Sequence, residues 1–179
     1  MASLPESLTL IVFSVIRKLR LFRLLRVGTS KRMFQNYFKG FEKSQAVREI
    51  FGDQTDEVLS RLKVEFILFG YMGVDDGDGH LMVNQRYLNS GDRTEIYLDV
   101  LHELCHVKQH LDGRALFDQR YDYVNNPTEV EAYRYTVQEA KRLGLSNQRI
   151  LRYLQMEWMS DEEVKCLVNN IGIDLYSEP

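Results

Sequence analysis

The spacing of hydrophobic positions divides the chain into helical segments and one short region of strands. Between Lys31 and Leu62, aromatic and aliphatic residues recur every three or four positions, which predicts helix with a core-facing side. Residues 64–72 are instead rich in β-branched and aromatic types, and a second short run of this kind covers Leu81–Asn84 after an Asp- and Gly-rich turn. The pattern predicts a β-hairpin between helices.

The second half of the chain is predicted to be helical. Residues 95–111 are apolar around most of the helix circumference, which is typical of a buried helix. Thr128 is placed to cap a helix that runs to about Leu143, and Ser146 and Ser160 are placed to cap two more. We therefore expect an α+β fold that is mainly helical, with a β-hairpin or small sheet packed on the buried helix.

Composition limits the class of protein. The chain has 179 residues, 44% of them hydrophobic, with 3 Pro and 11 Gly, which suits one globular domain and excludes low-complexity chains. It contains two cysteines, Cys105 and Cys166, too few for a disulfide framework. This cysteine usage favours an intracellular, reducing compartment, and we expect the protein in the cytoplasm.

The net charge of −3 is unevenly distributed. Residues 1–40 carry eight basic side chains and one acidic one, a charge of +7. The remaining residues carry 15 basic and 25 acidic side chains, a charge of −10. An acidic domain repels nucleic acid, so no nucleic-acid partner is expected.

The basic N-terminal segment has more than one interpretation. The apolar run Leu8–Ile16 is too short to span a membrane, and a group of basic residues follows it. A helix within residues 1–30 can pack on its own acidic domain, including as a pro-segment over the cleft. Residues 8–26 can instead contact anionic membrane from the periphery. We divide the chain into this segment, 1–30, and a single domain, 31–179.

One pentapeptide in the buried helix carries candidate chemistry. In His102-Glu-Leu-Cys-His106 the two histidines are four residues apart, so they face one side of a helix as two ligands of a zinc ion must. Glu103 lies beside them, where a carboxylate can take a proton from a zinc-bound water. The structural alternative is a pair of hydrogen-bonded core histidines with a salt-bridged Glu103.

A third zinc ligand must come from elsewhere. His110 is on the same unbroken helix, about 12 Å beyond His102 at a rise of about 1.5 Å per residue. This distance is too long for both residues to bind one zinc ion. Glu129 and Glu131 are better candidates, and they face opposite sides of the following helix. Glu129 shares the apolar side with Tyr133, which favours it over Glu131 as the ligand.

This pattern resembles the gluzincin metallopeptidases, in which His-Glu-x-x-His is followed by a glutamate on a downstream helix. The chain is similar to their smallest members, the minigluzincins, over roughly residues 64–143. The resemblance implies a metallopeptidase-like domain that binds one zinc per chain through His102, His106 and Glu129. It implies that Glu103 is the general base and that Leu81–Asn84 is a strand that binds extended substrate.

The resemblance is incomplete at one position. Gluzincins often carry an aspartate four residues after the ligand glutamate, where it hydrogen-bonds a zinc-bound histidine, but here that residue is Tyr133. Asp99, one turn before His102, is a possible substitute. Several tyrosines near the ligand helix are candidate donors to the oxyanion, and the sequence does not choose among Tyr121, Tyr123, Tyr133 and Tyr135.

The function predicted from the sequence is zinc-dependent hydrolysis of peptide bonds in a peptide or protein substrate, with water activated by Glu103. Two alternatives stay open. One is a zinc-binding regulatory or interaction module with weak or lost turnover. The other is a membrane-surface protein whose function depends on residues 8–26.

Overall fold

The computed structural model describes residues 30–68 and 70–176. The α+β class is confirmed, since helices predominate beside a small mixed sheet. The strands are β1 Arg32–Met33, β2 Lys63–Ile67, β3 Met72–Val74 and β4 Leu81–Asn84. The helices are α1 Gln45–Phe51, α2 Thr55–Arg61, α3 Gln85–Ser90, α4 Arg93–Leu111, α5 Pro127–Arg142, α6 Asn147–Leu154 and α7 Asp161–Ile171.

The structure does not test the predictions for the basic N-terminal segment. Except for Ser30, the segment 1–30 is not among the described residues, so its helix and the division at residue 30 stay predictions. Among the helices of the described ranges, none has the length and apolar character needed to cross a lipid bilayer.

The expectation of continuous helix from Lys31 to Leu62 is wrong in part. This region contains β1, short 3₁₀ turns and the two-turn helices α1 and α2. Gly40 and Gly52 have positive φ angles of 89° and 57°, a conformation that interrupts a right-handed helix. Most of the predicted core positions are nevertheless buried, although Tyr37, which the same spacing places on the core-facing side, is exposed. The buried ones include Phe34, Phe38, Phe41, Val47, Ile50 and Phe51.

The strand pairing also differs from the prediction. The sheet has the order β1-β2-β4-β3. The hairpin joins β3 to β4, with Val74 opposite Leu81, whereas β2 runs parallel to β4, with Val64 opposite the same Leu81. Residues 64–72 therefore form no single strand, because the chain turns after Ile67 and returns on the far side of β4.

The turn between β3 and β4 approaches α4 closely. Gly79 in this turn has a φ of 72°, and a Cβ there would lie 2.4 Å from the ring of His110. Only glycine fits both the backbone conformation and the contact. His110 is thus a packing residue of α4.

The helix caps of the second half are largely as predicted. Ser146 and Ser160 cap α6 and α7, and Ser160 forms a capping box with Glu163. The assignment of Thr128 as a cap is wrong, because α5 begins at Pro127 and its cap is Asn126, which accepts a hydrogen bond from the Thr128 N–H. Proline fits the first helical position because its nitrogen needs no acceptor there.

Helix α4 lies between two hydrophobic cores. One core joins α1, α2 and the sheet to the Val100 and Leu104 side of α4. The other joins α5, α6 and α7 and includes Leu98 and Tyr133. Helices α4 and α5 pack directly against each other. This contact brings the two groups of candidate ligands together.

Candidate metal centre

Helix α4 presents two histidines to α5. The side chain of Asp92 accepts hydrogen bonds from the Thr94 and Glu95 N–H groups and so fixes the start of the helix. Both His102 and His106 are buried, and their Nε2 atoms are 3.0 Å apart. The four-residue spacing thus places the two imidazole nitrogens close enough together to bind one metal ion.

Helix α5 brings Glu129 to the same point. This glutamate lies in the first turn of α5 and is 5% exposed. Its Oε2 is 3.3 Å from the Nε2 of His102 and 3.6 Å from the Nε2 of His106. The first turn is fixed by Asn126 and Pro127, so the position of the carboxylate follows from where the helix begins.

The spacing of these three atoms fits a metal ion. A tetrahedral zinc with bonds of about 2.0–2.2 Å to nitrogen and oxygen holds its ligand atoms about 3.3–3.5 Å apart. The observed distances of 3.0, 3.3 and 3.6 Å bracket that range. His102, His106 and Glu129 therefore form a buried group that can hold a metal ion.

The electrostatics of the site are dominated by the carboxylates. Burial opposes a charged imidazole, but the Glu129 carboxylate outweighs burial and, with Glu103, raises the pKa of His106 to about 9. Burial likewise opposes a charged Glu129, yet the two histidines hold the pKa of this carboxyl well below its usual value. Without a metal, a proton on His106 thus balances the Glu129 charge. Glu103 is half-buried, and its negative charge adds to the rise in the pKa of His106.

Gln109 is a site residue that the sequence reasoning missed. It is 1% exposed, and its Oε1 lies 2.7 Å from the Nδ1 of His106. Its Nε2 donates to the Thr128 carbonyl at 2.9 Å and to the Glu131 carboxylate at 2.8 Å. Glu131 also forms a salt bridge with Arg114. The one signal in the sequence is an amide three residues after His106 on a buried helix.

Tyr133 packs against the candidate ligands. Its ring centroid is 4.4 Å from that of His102, and its hydroxyl is 2.6 Å from the hydroxyl of Tyr123. The Tyr123 ring in turn lies 5.0 Å from Trp158, which is 39% exposed. An aromatic wall therefore runs from His102 to the surface. At the position where gluzincins often carry an aspartate, this chain has a packing side chain.

Asp99 has tyrosine partners. One carboxylate oxygen accepts a hydrogen bond from Tyr153 at 2.8 Å, and the other accepts one from Tyr87. Burial raises the pKa of Asp99, although both hydrogen bonds act in the opposite direction. Through these contacts Asp99 links α3, α4 and α6. The acceptor for the Nδ1 of His106 is the side-chain oxygen of Gln109, not Asp99.

The strand expected to bind substrate is not at the edge of the sheet. Leu81–Asn84 is β4, which pairs with β2 on one side and β3 on the other, so its backbone groups are already used. The prediction for this strand is therefore wrong. Within the described ranges, the edge strand on this side is β3, Met72–Val74, and it packs against α4.

A second cluster of ionisable groups lies beside the β3–β4 turn. His80 is buried, with its Nε2 3.0 Å from Glu65 and its Nδ1 against Asp78. Asp75, Asp78 and His80 are close enough to share an ion. Lys31 already pairs with Asp78, and His80 and Lys31 hold the pKa of that carboxyl low despite burial. The positive charge of Lys31 therefore already compensates the negative charge of Asp78 in this cluster.

Cys105 lies between the histidines in sequence but has the character of a core residue. It is buried, and burial raises the pKa of its thiol far above the usual value. A thiol in this state is a poor nucleophile, so Cys105 is a packing residue of α4.

Comparison of the chain with protein-family models, with curated proteins and with solved structures gave no match. The functional argument therefore starts from the geometry of His102, His106 and Glu129.

Proposed function

We propose that the protein is a zinc-dependent metallopeptidase that uses one zinc ion per chain, held by His102, His106 and Glu129. The observation that carries this proposal is the convergence of two imidazole nitrogens and one carboxylate oxygen at zinc-ligand spacing. Two histidines and one glutamate, with a fourth position open, are the donor set of several catalytic zinc sites. The resemblance of the motif to gluzincins supports the same function.

Glu103 is the proposed general base. When bound, zinc supplies a Lewis acid and lowers the pKa of its water to near neutral. Glu103 follows His102 on α4, is half-buried, and its charge contributes to the raised pKa of His106, so it lies near the proposed zinc. It would accept the proton of the attacking water and return it to the leaving amine.

The substrate in this proposal is an extended peptide bound along β3. This strand is three residues long, packs against α4 and has one neighbour, β4, among the described strands. A peptide can add to such an edge through backbone hydrogen bonds, and pockets beside it then select the side chains. This arrangement would align the peptide with the helix that carries Glu103.

The test is peptide cleavage by the zinc-loaded chain and by two matched variants. Glu103→Gln should lower kcat/KM by about 10²- to 10⁴-fold, the usual contribution of a general base, with zinc content unchanged. Glu95→Gln, two turns earlier on α4, is the control and should cleave as the wild type does. Equal cleavage by the wild type and Glu103→Gln would refute the assigned role of Glu103.

A further outcome would favour the alternative zinc module. If the wild-type chain binds one zinc per chain but cleaves no member of a diverse peptide library, with or without residues 1–30, turnover is lost and the site serves regulation or interaction. If the chain binds no zinc, the metallopeptidase proposal fails as a whole.

A further inference from the structure

We propose that Gln109 is a positioning residue of the metal centre. It holds His106 with the lone pair on Nε2 and ties this ligand to the first turn of α5, which carries Glu129. The inference rests on the proposed zinc centre but does not depend on peptidase activity.

The first argument is the identity of the donor and acceptor. A carboxamide oxygen can only accept, so the Nδ1 of His106 at 2.7 Å from the Gln109 Oε1 must carry the hydrogen. In the neutral imidazole that a metal requires, this leaves the lone pair on Nε2, the atom that faces His102 and Glu129.

The orientation of the amide is itself determined. The Gln109 Nε2 has two oxygen acceptors in reach, the Thr128 carbonyl and the Glu131 carboxylate, and a weaker contact to the Cys105 sulfur at 3.6 Å. A flipped amide would turn its oxygen toward both of them and lose two hydrogen bonds. Arg114 pairs with Glu131 and so holds the carboxylate that orients Gln109.

The second argument is the link between the two ligand-bearing helices. Thr128 directly precedes Glu129, so one side chain contacts the ligand His106 on α4 and the backbone beside the ligand Glu129 on α5. Because the amide of Gln109 is neutral, it makes this link without adding another negative charge next to Glu129 and Glu103, as an acidic residue at position 109 would. Outer partners of this kind commonly contribute about 10- to 100-fold to metal affinity.

The experiment compares zinc dissociation constants, measured by chelator competition, for the full chain and its variants. Gln109→Leu keeps the approximate volume but removes every hydrogen bond of the Gln109 side chain, and should weaken zinc binding about 10- to 100-fold. Gln109→Glu keeps an acceptor for His106 but lacks the donors and faces Glu131, so it should also weaken binding. Adding Glu131→Gln restores a donor opposite the new carboxylate, and Gln109→Glu/Glu131→Gln should recover about tenfold or more of the loss.

Spectroscopy separates positioning from packing. In the zinc-loaded wild type, the His106 Nδ1 proton should give a slowly exchanging downfield NMR signal, which Gln109→Leu should lose. With cobalt in place of zinc, the same variant should shift the d–d absorption bands. A packing role alone would lower the stability of the metal-free chain and leave the zinc dissociation constant and both spectra unchanged.

The inference is overturned if Gln109→Leu binds zinc as tightly as the wild type, or if the double variant binds no better than Gln109→Glu. Either result leaves the proposed metallopeptidase intact when the wild type still binds and cleaves. Failure of the wild type to bind zinc would overturn both. The double variant keeps the test decisive if Gln109→Leu does not fold.

Discussion

At the scale of single residues, the burial of Glu129 requires a compensating cation. A buried carboxylate is costly unless it is paired, and its nearest partners are the nitrogens of His102 and His106. We predict that Glu129→Gln lowers the zinc content of the purified chain from near one per chain to near zero, since a neutral amide is a poor zinc ligand. Glu95→Gln, which changes a glutamate outside the ligand cluster, is the control and should retain the metal. Equal zinc in both variants, measured by atomic emission, would remove Glu129 from the ligand set.

The raised pKa of His106 predicts a measurable proton release. Below a pKa of about 9 the metal-free site holds a proton on His106, and zinc must displace it to reach Nε2. At pH 7.5 we therefore expect His106 to release close to one proton per zinc bound, whereas a histidine with the usual pKa of about 6.5 would release about a tenth of that. A zinc-bound water with a near-neutral pKa adds its own proton in either case. Apparent zinc affinity should rise with pH up to about 9. Calorimetry in buffers of different ionisation enthalpy measures the release, and a value near zero would contradict the prediction.

At the scale of elements, the start of α5 decides where Glu129 lies. Asn126 caps this helix through the Thr128 N–H and also donates to the Leu116 carbonyl. We predict that Asn126→Ala lowers the free energy of unfolding of the metal-free chain by about 0.5–2 kcal/mol and also weakens zinc binding. Ser146→Ala, which removes the cap of α6, should cost a similar stability and leave zinc affinity unchanged. Chemical denaturation and chelator competition measure the two effects, and equal changes in zinc affinity would refute the special role of the α5 cap.

Some of the secondary-structure elements could be predicted from the sequence and others could not. Local signals sufficed for α4, α6 and α7, because an apolar surface or a capping serine is encoded in neighbouring residues. The sheet pairing was not predictable in this way. The parallel alignment of β2 with β4 joins distant residues, and a turn rich in aspartate and glycine gives no information about which strand lies on the other side of β4.

The site was predictable to the extent that it follows a helical period. The four-residue spacing of His102 and His106 places them on one face of α4, and the helical periodicity of α5 places Glu129 on its apolar face. Gln109 was not predictable, because a neutral amide belongs to no short motif and its two helix partners are set by the packing of α4 on α5.

At the scale of the whole molecule, α4 and α5 join two cores that are otherwise built from different parts of the chain. The first core comes mainly from the N-terminal half and the sheet, and the second from the C-terminal helices. A metal held between α4 and α5 would therefore connect them. Zinc binding should raise the stability of the whole chain in proportion to the logarithm of free zinc concentration above the dissociation constant.

The distribution of charge yields the last prediction, which concerns the basic segment. Residues 1–30 carry five basic side chains and one acidic one, and the rest of the chain has an acidic excess. If this segment acts as a pro-segment on the cleft, deleting residues 1–30 should raise peptidase activity several-fold at low salt. Added salt should then activate the full chain and narrow the difference, because exposed charges are screened beyond about 10 Å at about 0.1 M ionic strength. A full-length variant with the five basic residues changed to glutamine is the control for charge and should resemble the deletion. Unchanged activity with intact zinc would refute the pro-segment, and salt-sensitive co-sedimentation of the full chain with anionic vesicles would assign the segment to a membrane surface instead.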